Sequence, residues 1–572
     1  MTQTQTPATK TPACRQARCR SCSTPFTIAP EDEALFNQIS PIFNSKRFQI
    51  PTPTLCPPCR QQLRMSFRNE RKLYKVKSAF SGEEIISMFS EDKGYKVVDR
   101  DEWWGDSWNP TAYGRDFDFT KSFAEQFRAL YKDVPHLNLQ NVNTENSYYT
   151  NYALNQKNSY LIFGGSYNED CLYGKFVTYC TNCVDVLSCH ACEVCYEGIA
   201  SERCYNCRFF ANCRSSHDCT FVEDCTGCEN CVACFSLKFK KKCFLNRQLS
   251  PSEFEKIKKE YETLTPEKIA YLSQELEKLK SSLPRPYAHM YNCEDCTGEF
   301  ILNCKNCHSA FDARESEDCK YIYFCPKAIH SQDCTFNAPF GPEFCYNLCS
   351  SVALKSSMAN FLFWYGDSVF YCMECHHTNN CFGCISMRHN NYCVLNKQYE
   401  RSEYETLVAR IIEHMQTTGE WGEFFTPPTG AFAYNETIAQ EYFPLTKEEA
   451  LEKGWTWRDE EPSQPPSPGS AYTPPDNIKD VGNDILDKQI YCSVSDKPFK
   501  IVKEELAFYR RLGLPIPQIS PAERHYARVA KHNALTLFER TCDKCKKPIQ
   551  TVYRKEAPFK VYCEECYLKE VY

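Results

Sequence analysis

Residues 206–231 read NCRFFANCRSSHDCTFVEDCTGCENC. Cys207, Cys219 and Cys231 lie twelve residues apart, and an Asn or Asp precedes each of them. The same step continues without a break from Ser147 to Cys243. A period of twelve residues is too short for a helical repeat unit, whereas Asx residues suit a tight turn that is stacked upon itself. The pattern therefore predicts stacked β-coils.

The remaining cysteines of this region follow the same period. All fifteen cysteines between residues 171 and 243 share one position modulo three. Four inward positions per coil, spaced by three, would enclose a core that admits only small side chains. The residues at these positions are mostly Cys, Ser, Gly, Ala, Thr and Val, with Ile162 and Phe210 among the larger exceptions. Strict spacing and small side chains together predict a thin β-solenoid.

A second, less regular copy runs from about residue 287 to 396. Its cysteines fall into two phases, one at 304–334 and one at 372–393, so we expect an insertion between them. The two copies end alike, with CFLNRQLSPSEFEKI from Cys243 and CVLNKQYERSEYETL from Cys393. We predict a mainly β fold with two tandem twelve-residue-repeat solenoids with helical caps, and the two helices between the solenoids are expected to begin at Ser or Thr.

Each end of the chain carries a pair of Cys-x-x-Cys knuckles. Such a knuckle places two sulfurs on one metal ion, and two knuckles complete a closed tetrahedral site of the kind that zinc prefers. The alternatives are disulfides and chance spacing in a Cys-rich chain. We expect about two Zn²⁺ per chain. The predicted ligands are Cys19, Cys22, Cys56 and Cys59 at one end, and Cys542, Cys545, Cys563 and Cys566 at the other.

The two ends also resemble each other at an offset of 464 residues. At this offset the C-terminal ligands align with Ser78, Ser81, Asp99 and Glu102, and Cys56 and Cys59 align with Ser520 and Glu523. A separate match of STPFTIAPEDEALFNQ to SDKPFKIVKEELAFYR aligns Cys19 and Cys22 with Cys492 and Ser495. Each end is therefore predicted to be a double zinc ribbon with one intact site and one degenerate site. The degenerate sites lack a soft ligand set and need other packing, for which Trp103 and Trp104 are candidates.

These observations divide the chain into ten segments. They are a disordered tail (1–18), a zinc ribbon with a basic helix (19–77), a degenerate ribbon plus helix (78–140), β-solenoid 1 (141–247), a helical hairpin (248–286), β-solenoid 2 (287–397), a helical cap and extended segment (398–460), a Pro-rich linker (461–480), a degenerate ribbon (481–541) and a zinc ribbon (542–572).

The cysteines of the coils admit three interpretations. They are small apolar groups that fill a thin core, ligands of further metal in the solenoids, or partners in disulfides within a coil. The last is disfavoured in a compartment that keeps thiols reduced. The N-terminus has no apolar signal segment, and no apolar run is long enough to span a membrane, so we expect a cytoplasmic protein with no membrane partner.

The sequence contains no nucleotide-binding glycine loop, no G-x-S-x-G and no H-E-x-x-H, and its twelve His form no evident acid–base group. A cysteine nucleophile stays open, so enzymatic activity is disfavoured rather than excluded. The net charge of −6 argues against a surface covered by nucleic acid, although a local basic face is compatible with it.

One such face follows Cys59, where RQQLRMSFRNERKLYKVK predicts a helix with a cationic stripe beside an apolar one. A cationic helix after a zinc knuckle suits the phosphates of RNA or DNA, while the competing interpretation is a solvated or acid-paired face. The stripe consists of Arg60, Arg64, Arg68, Arg71 and Lys75.

Several runs resemble an uncharacterised family of Cys-rich zinc-ribbon proteins from candidate-phyla bacteria. They include CPPCRQQLRMSFRNERKLYK, YGRDFDFTKSF, NVNTENSYYTNYA and YNETIAQEYFPLTKEEALEKGWTWRD, so the likeness spans nearly the whole chain. Some members carry a CoA-transferase label, for which these residues provide no motif. The resemblance implies zinc ribbons at the ends, a Cys-rich middle and an intracellular location. The chain departs from the family's ligand pattern at Ser78, Ser81, Asp99 and Glu102.

We therefore expect a zinc-binding, non-enzymatic scaffold that binds a macromolecule, with RNA or DNA on the Arg60 stripe as the first candidate partner. A protein–protein interaction scaffold is the second candidate. A metal or thiol store that uses the solenoid cysteines is the third.

Overall fold

A computed structural model describes residues 14–323, 343–345, 352–358, 361–459 and 472–571. Most of the predicted tail and the greater part of the Pro-rich segment lie outside the described residues. Within this part of the chain the fold has many β-strands, twelve α-helices, a seven-stranded sheet and two four-cysteine clusters near the termini.

The N-terminal module comprises residues 14–140. Its helices are α1 (Pro30–Ile39), α2 (Pro57–Met65), α3 (Arg100–Trp104) and α4 (Phe123–Asp133). Its strands are β1 (Arg15–Arg18), β2 (Pro25–Ile28), β3 (Ile42–Phe43), β4 (Lys46–Arg47), β5 (Tyr74–Lys77), β6 (Glu84–Ser87), β7 (Lys96–Val98) and β8 (Pro135–Leu137). Strand β1 falls in the segment expected to be a disordered tail, but it pairs antiparallel with β2 and forms the hairpin that carries Cys19 and Cys22.

The first strand stack comprises residues 141–248. Its strands are β9 (Asn141–Glu145), β10 (Ala153–Lys157), β11 (Ser166–Glu169), β12 (Val184–Leu187), β13 (Tyr196–Ile199), β14 (Arg208–Ala211), β15 (Thr220–Glu223), β16 (Glu229–Phe235), β17 (Lys241–Phe244) and β18 (Arg247–Gln248). Helices α5 (Pro251–Glu260) and α6 (Pro266–Ser282) follow, and the side chains of Ser250 and Thr265 cap their N-termini as predicted.

The second strand stack comprises the described residues of 290–398 and is preceded by β19 (Arg285–Pro286). Its strands are β20 (Met290–Tyr291), β21 (Gly298–Glu299), β22 (Ile301–Leu302), β23 (Ala310–Phe311), β24 (Glu343–Cys345), β25 (Val352–Ser357), β26 (Phe361–Phe370), β27 (Met373–Phe382), β28 (Asn391–Val394) and β29 (Lys397–Gln398). Helices α7 (Arg401–Thr418), α8 (Ala439–Tyr442) and α9 (Lys447–Glu452) follow. The predicted change of phase falls largely on residues outside the described ranges.

The C-terminal module comprises residues 472–571. Its strands are β30 (Ile490–Tyr491), β31 (Pro498–Phe499), β32 (Phe538–Thr541), β33 (Pro548–Thr551) and β34 (Val561–Tyr562). Its helices are α10 (Lys503–Leu512), α11 (Pro521–Lys531) and α12 (Glu564–Val571). None of the helices described for this chain combines the length and the apolar character that crossing a membrane requires.

Parallel pairing in the first strand stack joins residues that are twelve positions apart. Leu154 pairs with Ser166 in the β10–β11 register, and Val184 pairs with Tyr196 in the β12–β13 register. Single parallel bridges extend the same step between the strands, as at Tyr160 and Leu172. The twelve-residue period of the sequence is thus the hydrogen-bonding register of this stack.

The backbone turns at every third residue. From Tyr152 to Leu245, every third residue has a φ between +45° and +63°, although nearly all of them are not glycine. This left-handed conformation costs about 1–2 kcal/mol for an ordinary residue, so it needs compensation. The parallel ladder supplies it, since Tyr173 donates its N–H to the carbonyl of Tyr160 and Tyr160 donates to that of Cys171, each at 2.9 Å.

The residue after each turn points inward and caps a carbonyl group. Cys183 Sγ donates to the carbonyls of Thr181 and Cys192, both at 3.4 Å. Ser216 Oγ occupies the corresponding position of another coil and donates to Arg214 and Cys225. A thiol or hydroxyl is therefore suited to this core for two reasons: it is small, and its hydrogen finds an acceptor in carbonyls that also accept a backbone N–H, as that of Thr181 does from Val194 at 3.0 Å.

Each terminal module shares a hydrophobic core with the strand stack that is not next to it in the sequence. Phe36 and Phe127 of the N-terminal module share a core with Phe382 of the second strand stack and Ile411 of α7. A second core joins Val184 and Phe221 of the first stack to α5, α6 and the C-terminal residues 478–516. Strand β34 also pairs with β19, beside the beginning of the second stack. Modules and stacks that are distant in the sequence thus share their cores.

Candidate metal centres

The four N-terminal cysteines meet at the end of a hairpin and the start of a helix. Cys19 and Cys22 lie in the turn between β1 and β2, while Cys56 is the N-cap of α2 and Cys59 lies in its first turn. All four sulfurs lie within 4.8 Å of one another, and those of Cys22 and Cys56 are 3.6 Å apart. A tetrahedral zinc with Zn–S bonds of about 2.3 Å requires sulfurs about 3.8 Å apart, so the donor set fits.

The C-terminal cysteines repeat this arrangement. Cys542 and Cys545 lie between β32 and β33, and Cys563 and Cys566 lie at the start of α12, with all four sulfurs within 4.8 Å. Burial alone would raise the pKa of Cys542, but backbone N–H groups of Cys545, Cys563 and Lys544 lower it to about 6. A thiolate favoured in this way suits metal coordination.

The same turn occurs four times among the residues that the structure describes. In each copy the first residue donates its N–H to a carbonyl five residues later and accepts a hydrogen bond from an N–H four residues later. These bonds are Cys19 to Thr24 and Ser23 to Cys19, Ser78 to Glu83 and Gly82 to Ser78, Cys492 to Lys497 and Asp496 to Cys492, and Cys542 to Lys547 and Lys546 to Cys542, all between 2.8 and 3.0 Å. The degenerate sites therefore keep the backbone of the knuckle.

In the N-terminal degenerate site, hydrogen bonds join the residues that replace the ligands. Ser78 Oγ donates to Glu102, and the N–H of Asp99 donates to the same carboxylate at 3.1 Å. Burial would raise the pKa of Glu102, but hydrogen bonds from Ser78 and Ser81 lower it. Trp103 is buried against Trp104 and provides the packing expected of it, with ring centroids 4.8 Å apart.

In the C-terminal degenerate site one cysteine remains. Ser520 caps α11 and donates its N–H to Cys492 Sγ at 3.3 Å. Burial would raise the pKa of Cys492, yet hydrogen bonds from the Ser495 side chain and the Ser520 N–H lower it to about 7. The site thus retains one polarised thiol in a metal-site backbone.

The coil cysteines do not form comparable groups. Across the described ranges, the two clusters above are the only sets of three or more potential ligands whose donor atoms all lie within 4.8 Å. All fifteen cysteines of residues 171–243 are buried and unpaired by disulfides. Burial, followed by the neighbouring Cys192 thiol, raises the pKa of Cys189 well above its usual value. The burial of these fifteen thiols, and the absence of any tight cluster among them in the described residues, favour the packing interpretation.

The predicted cationic stripe is not an exposed helix face, and that prediction is wrong. Helix α2 ends at Met65, so Arg68 and Arg71 lie beyond it and Lys75 belongs to β5. Arg60, Arg64 and Arg68 are only 6%, 0% and 3% exposed. Four of the five cations therefore contact the protein itself. Arg71 lies over the ring of Phe163 at 4.9 Å, and only Lys75 is exposed, where it pairs with Glu84 at 2.9 Å.

Beyond the end of α2, Asn69 holds a turn in the backbone. Its side chain accepts from the N–H of Lys72 and donates to the carbonyl of Lys72, at 3.0 and 2.8 Å. Such local bonds compete with helical ones and are typical of turns. The arginines of the stripe therefore contact the protein interior and do not line one outer face of a helix.

The arginines at the equivalent positions of the C-terminal module form ion pairs with another part of the chain. Arg524 contacts Asp185 at 2.8 Å, and Arg528 contacts Asp185 at 2.8 Å and Glu197 at 3.0 Å, with all four groups buried or nearly so. Both carboxylates belong to the first strand stack. The stripe of this module is therefore a docking face within the chain. Sequence reasoning missed Asp185 and Glu197 because nothing local distinguishes them from other residues at coil turns.

Comparison with protein-family models, with curated proteins and with solved structures finds no match to this chain.

Proposed function

We propose that the protein is a zinc-stabilised, non-enzymatic scaffold that binds a macromolecule in a compartment where thiols stay reduced, such as the cytoplasm. The convergence of four sulfurs at each end carries this proposal. Four-cysteine sites without an open position are structural rather than catalytic, because no ligand position remains for water or substrate. The Cys-rich zinc-ribbon family named above remains our proposal for the chain's relatives.

The two strand stacks are the surface-bearing part of this scaffold, and we interpret them as β-solenoids. The support is that residues twelve positions apart pair with one another on successive sides of a coil. The bridges Tyr160–Leu172, Phe163–Lys175 and Ser166–Thr178 are three such pairs. Stacked short coils create long, regular outer faces, which is how repeat proteins commonly bind extended partners.

A metal or thiol store is the competing function. It requires that coil cysteines bind metal, whereas their sulfurs donate to backbone carbonyls and form no tight cluster in the described part of the chain. The scaffold function requires metal only at the two four-cysteine sites near the termini.

Metal analysis of the purified native protein separates these functions. We expect about two zinc ions per chain, and we expect a strong chelator to remove them while destabilising both modules. Many more ions per chain, or iron, would support the store. A preparation that folds fully with no metal would contradict the role of the terminal sites.

A further inference from the structure

A run of cations occupies the last turn of the first strand stack. Lys238, Lys240, Lys241 and Lys242 are followed by Arg247, and the sequence between Glu229 and Glu253 contains no acidic residue. Lys240, Lys241 and Arg247 are exposed, while Lys238 and Lys242 are partly exposed. In a chain of net charge −6 this is a concentrated positive edge.

The position of Lys240 is unusual for a lysine. Twelve residues earlier in each case, the same column holds the buried residues Cys228, Ser216 and Cys204. Lys240 is exposed because no further coil covers it. A lysine at such an edge has one well-known structural role, which is to prevent edge-to-edge association of strands.

The second strand stack shows that ending a stack does not need these charges. Cys243 pairs with Gln248 in the closing hairpin of the first stack, and Cys393 pairs with Gln398 in that of the second. Counting back from Cys393, the equivalents of Lys240, Lys241 and Lys242 are Asn390, Asn391 and Tyr392. The same architecture is thus completed without lysine, so the cations of the first stack require another explanation.

An exposed aromatic ring lies among these cations. Phe239 is 68% exposed, whereas most other Phe side chains described here are buried. Its ring lies against Gly227 so closely that a Cβ there would be 2.5 Å from a ring carbon. One face of the ring is held against the stack, and the rest is available to solvent.

The local ion pairs leave charge available at this edge. Lys241 pairs with Glu229 at 2.7 Å, and Lys238 lies over the ring of Tyr567 at 5.8 Å, which places the edge beside the C-terminal metal centre. Lys240 and Lys242 make no ion pair with any other residue that the structure describes. Two lysines and an aromatic ring are therefore free to contact a partner.

We propose that this edge, formed by Lys238, Phe239, Lys240, Lys241 and Lys242, binds single-stranded nucleic acid. Ammonium groups contact backbone phosphates, and a base stacks on the exposed face of Phe239. A duplex does not fit this chemistry as well, because its bases are already stacked on one another. The inference rests on the proposed scaffold function and assigns its partner.

The test measures binding of fluorescein-labelled U16 RNA and dT16 DNA by fluorescence anisotropy over a range of NaCl concentrations. We expect the variant K240Q/K242Q to bind at least tenfold more weakly at 100 mM NaCl. Its slope of log K against log [NaCl] should be smaller by about 1.4, since each phosphate contact on a single strand contributes about 0.7. The matched control K453Q/K503Q removes two exposed lysines elsewhere and should bind as the parent does.

The variant F239A separates a nucleic acid from any other polyanion. We expect it to weaken oligonucleotide binding about tenfold while leaving binding of inorganic polyphosphate unchanged. Absence of binding by the parent protein, an equal loss in K453Q/K503Q, or unchanged oligonucleotide binding by F239A would each overturn the inference. Zinc content is measured on the same preparations, so that a failed scaffold proposal is distinguished from a misassigned partner.

Discussion

Arg60 and Arg524 make the same hydrogen bond in the two terminal modules. Arg60 Nη1 donates to the carbonyl of Leu55 at 2.6 Å, and Arg524 Nη1 donates to the carbonyl of Ile519 at 2.9 Å. Both pairs are separated by five residues, and they correspond at the offset of 464. The duplicated modules thus share a way of directing an arginine from their ribbon helix into the protein, and in the C-terminal module that arginine reaches the first strand stack.

The variant R528A should unfold at much lower urea concentration than the parent. It removes the guanidinium that pairs with Glu197 and one of the two that pair with Asp185, and removing one partner of a buried ion pair costs about 3–5 kcal/mol. Lys531 lies exposed on the same helix, so K531A is the control and should change the free energy of unfolding by less than about 0.5 kcal/mol. Equal effects of the two variants would contradict the docking role.

Replacement of Cys545 by serine should remove one metal ion per chain and leave the other. Its sulfur lies 3.6 Å from that of Cys563, and serine does not provide the thiolate that completes the set. Inductively coupled plasma mass spectrometry checks the stoichiometry. Cys14 is exposed and outside both clusters, so C14S should retain both ions. Loss of metal from C14S would show that the ligand set is misassigned.

The C-terminal degenerate site should regain metal when its ligands are restored. The triple variant S495C/S520C/E523C completes a set with Cys492 on a backbone turn that the intact sites share. We expect the metal content to rise by one ion per chain and the protein to become more resistant to heat. The matched variant S495A/S520A/E523A should show no gain. An unchanged metal content in the cysteine variant would mean that the site has diverged beyond its turn.

Substitutions at Cys204 should report how narrow the coil interior is. Serine occupies the same column at Ser216 and makes the same bonds to carbonyls, so C204S should cost no more than about 1 kcal/mol. Leucine exceeds the available space, and C204L should cost about 2–3 kcal/mol. Urea denaturation monitored by circular dichroism compares the two. A smaller cost for leucine than for serine would contradict the thin-core description.

Acid should destabilise the protein through His376. Burial, together with His377 and Arg388, lowers the pKa of His376 to about 3 from an ordinary 6.5. The unfolded chain then binds a proton below pH 6.5 that the folded protein does not bind until about pH 3. Stability contributed by this group is therefore present above pH 6.5 and falls as the pH decreases toward 3, by up to about 1.4 kcal/mol per pH unit.

The variant H376F keeps a ring against Trp103 and Trp104 and removes the titration. Its free energy of unfolding should depend less steeply on pH between 6.5 and 4 than that of the parent. Parallel pH profiles for the two proteins would show that other groups cause the acid sensitivity.

The sequence alone predicts the features that depend on neighbouring residues or on a repeated spacing. The twelve-residue register, the caps at Ser250 and Thr265 and the grouping of each cysteine set follow from such patterns. The left-handed turns at every third residue do not, because Val194 and Phe209 are poor candidates for that conformation in isolation and adopt it only within the ladder.

The cationic stripe fails for a related reason. A helical wheel places Arg60, Arg64 and Arg68 on one face only if the helix continues, whereas α2 ends at Met65 and Asn69 forms a turn with Lys72 beyond it. The carboxylates that receive the C-terminal arginines lie more than 300 residues away in the sequence. No local pattern contains information on such distant partners.

The interleaving of modules and stacks has a consequence for the order of biosynthesis. The N-terminal module leaves the ribosome before the second strand stack that shares its core, and the first stack waits for the C-terminal module, which is made last. Domains usually fold as they emerge, but here each of these two shared cores is incomplete when its first half appears. The nascent first stack therefore keeps Val184 and Phe221 without part of their final cover until residues 478–516 have been made, and during this interval the chain depends most on protection from aggregation.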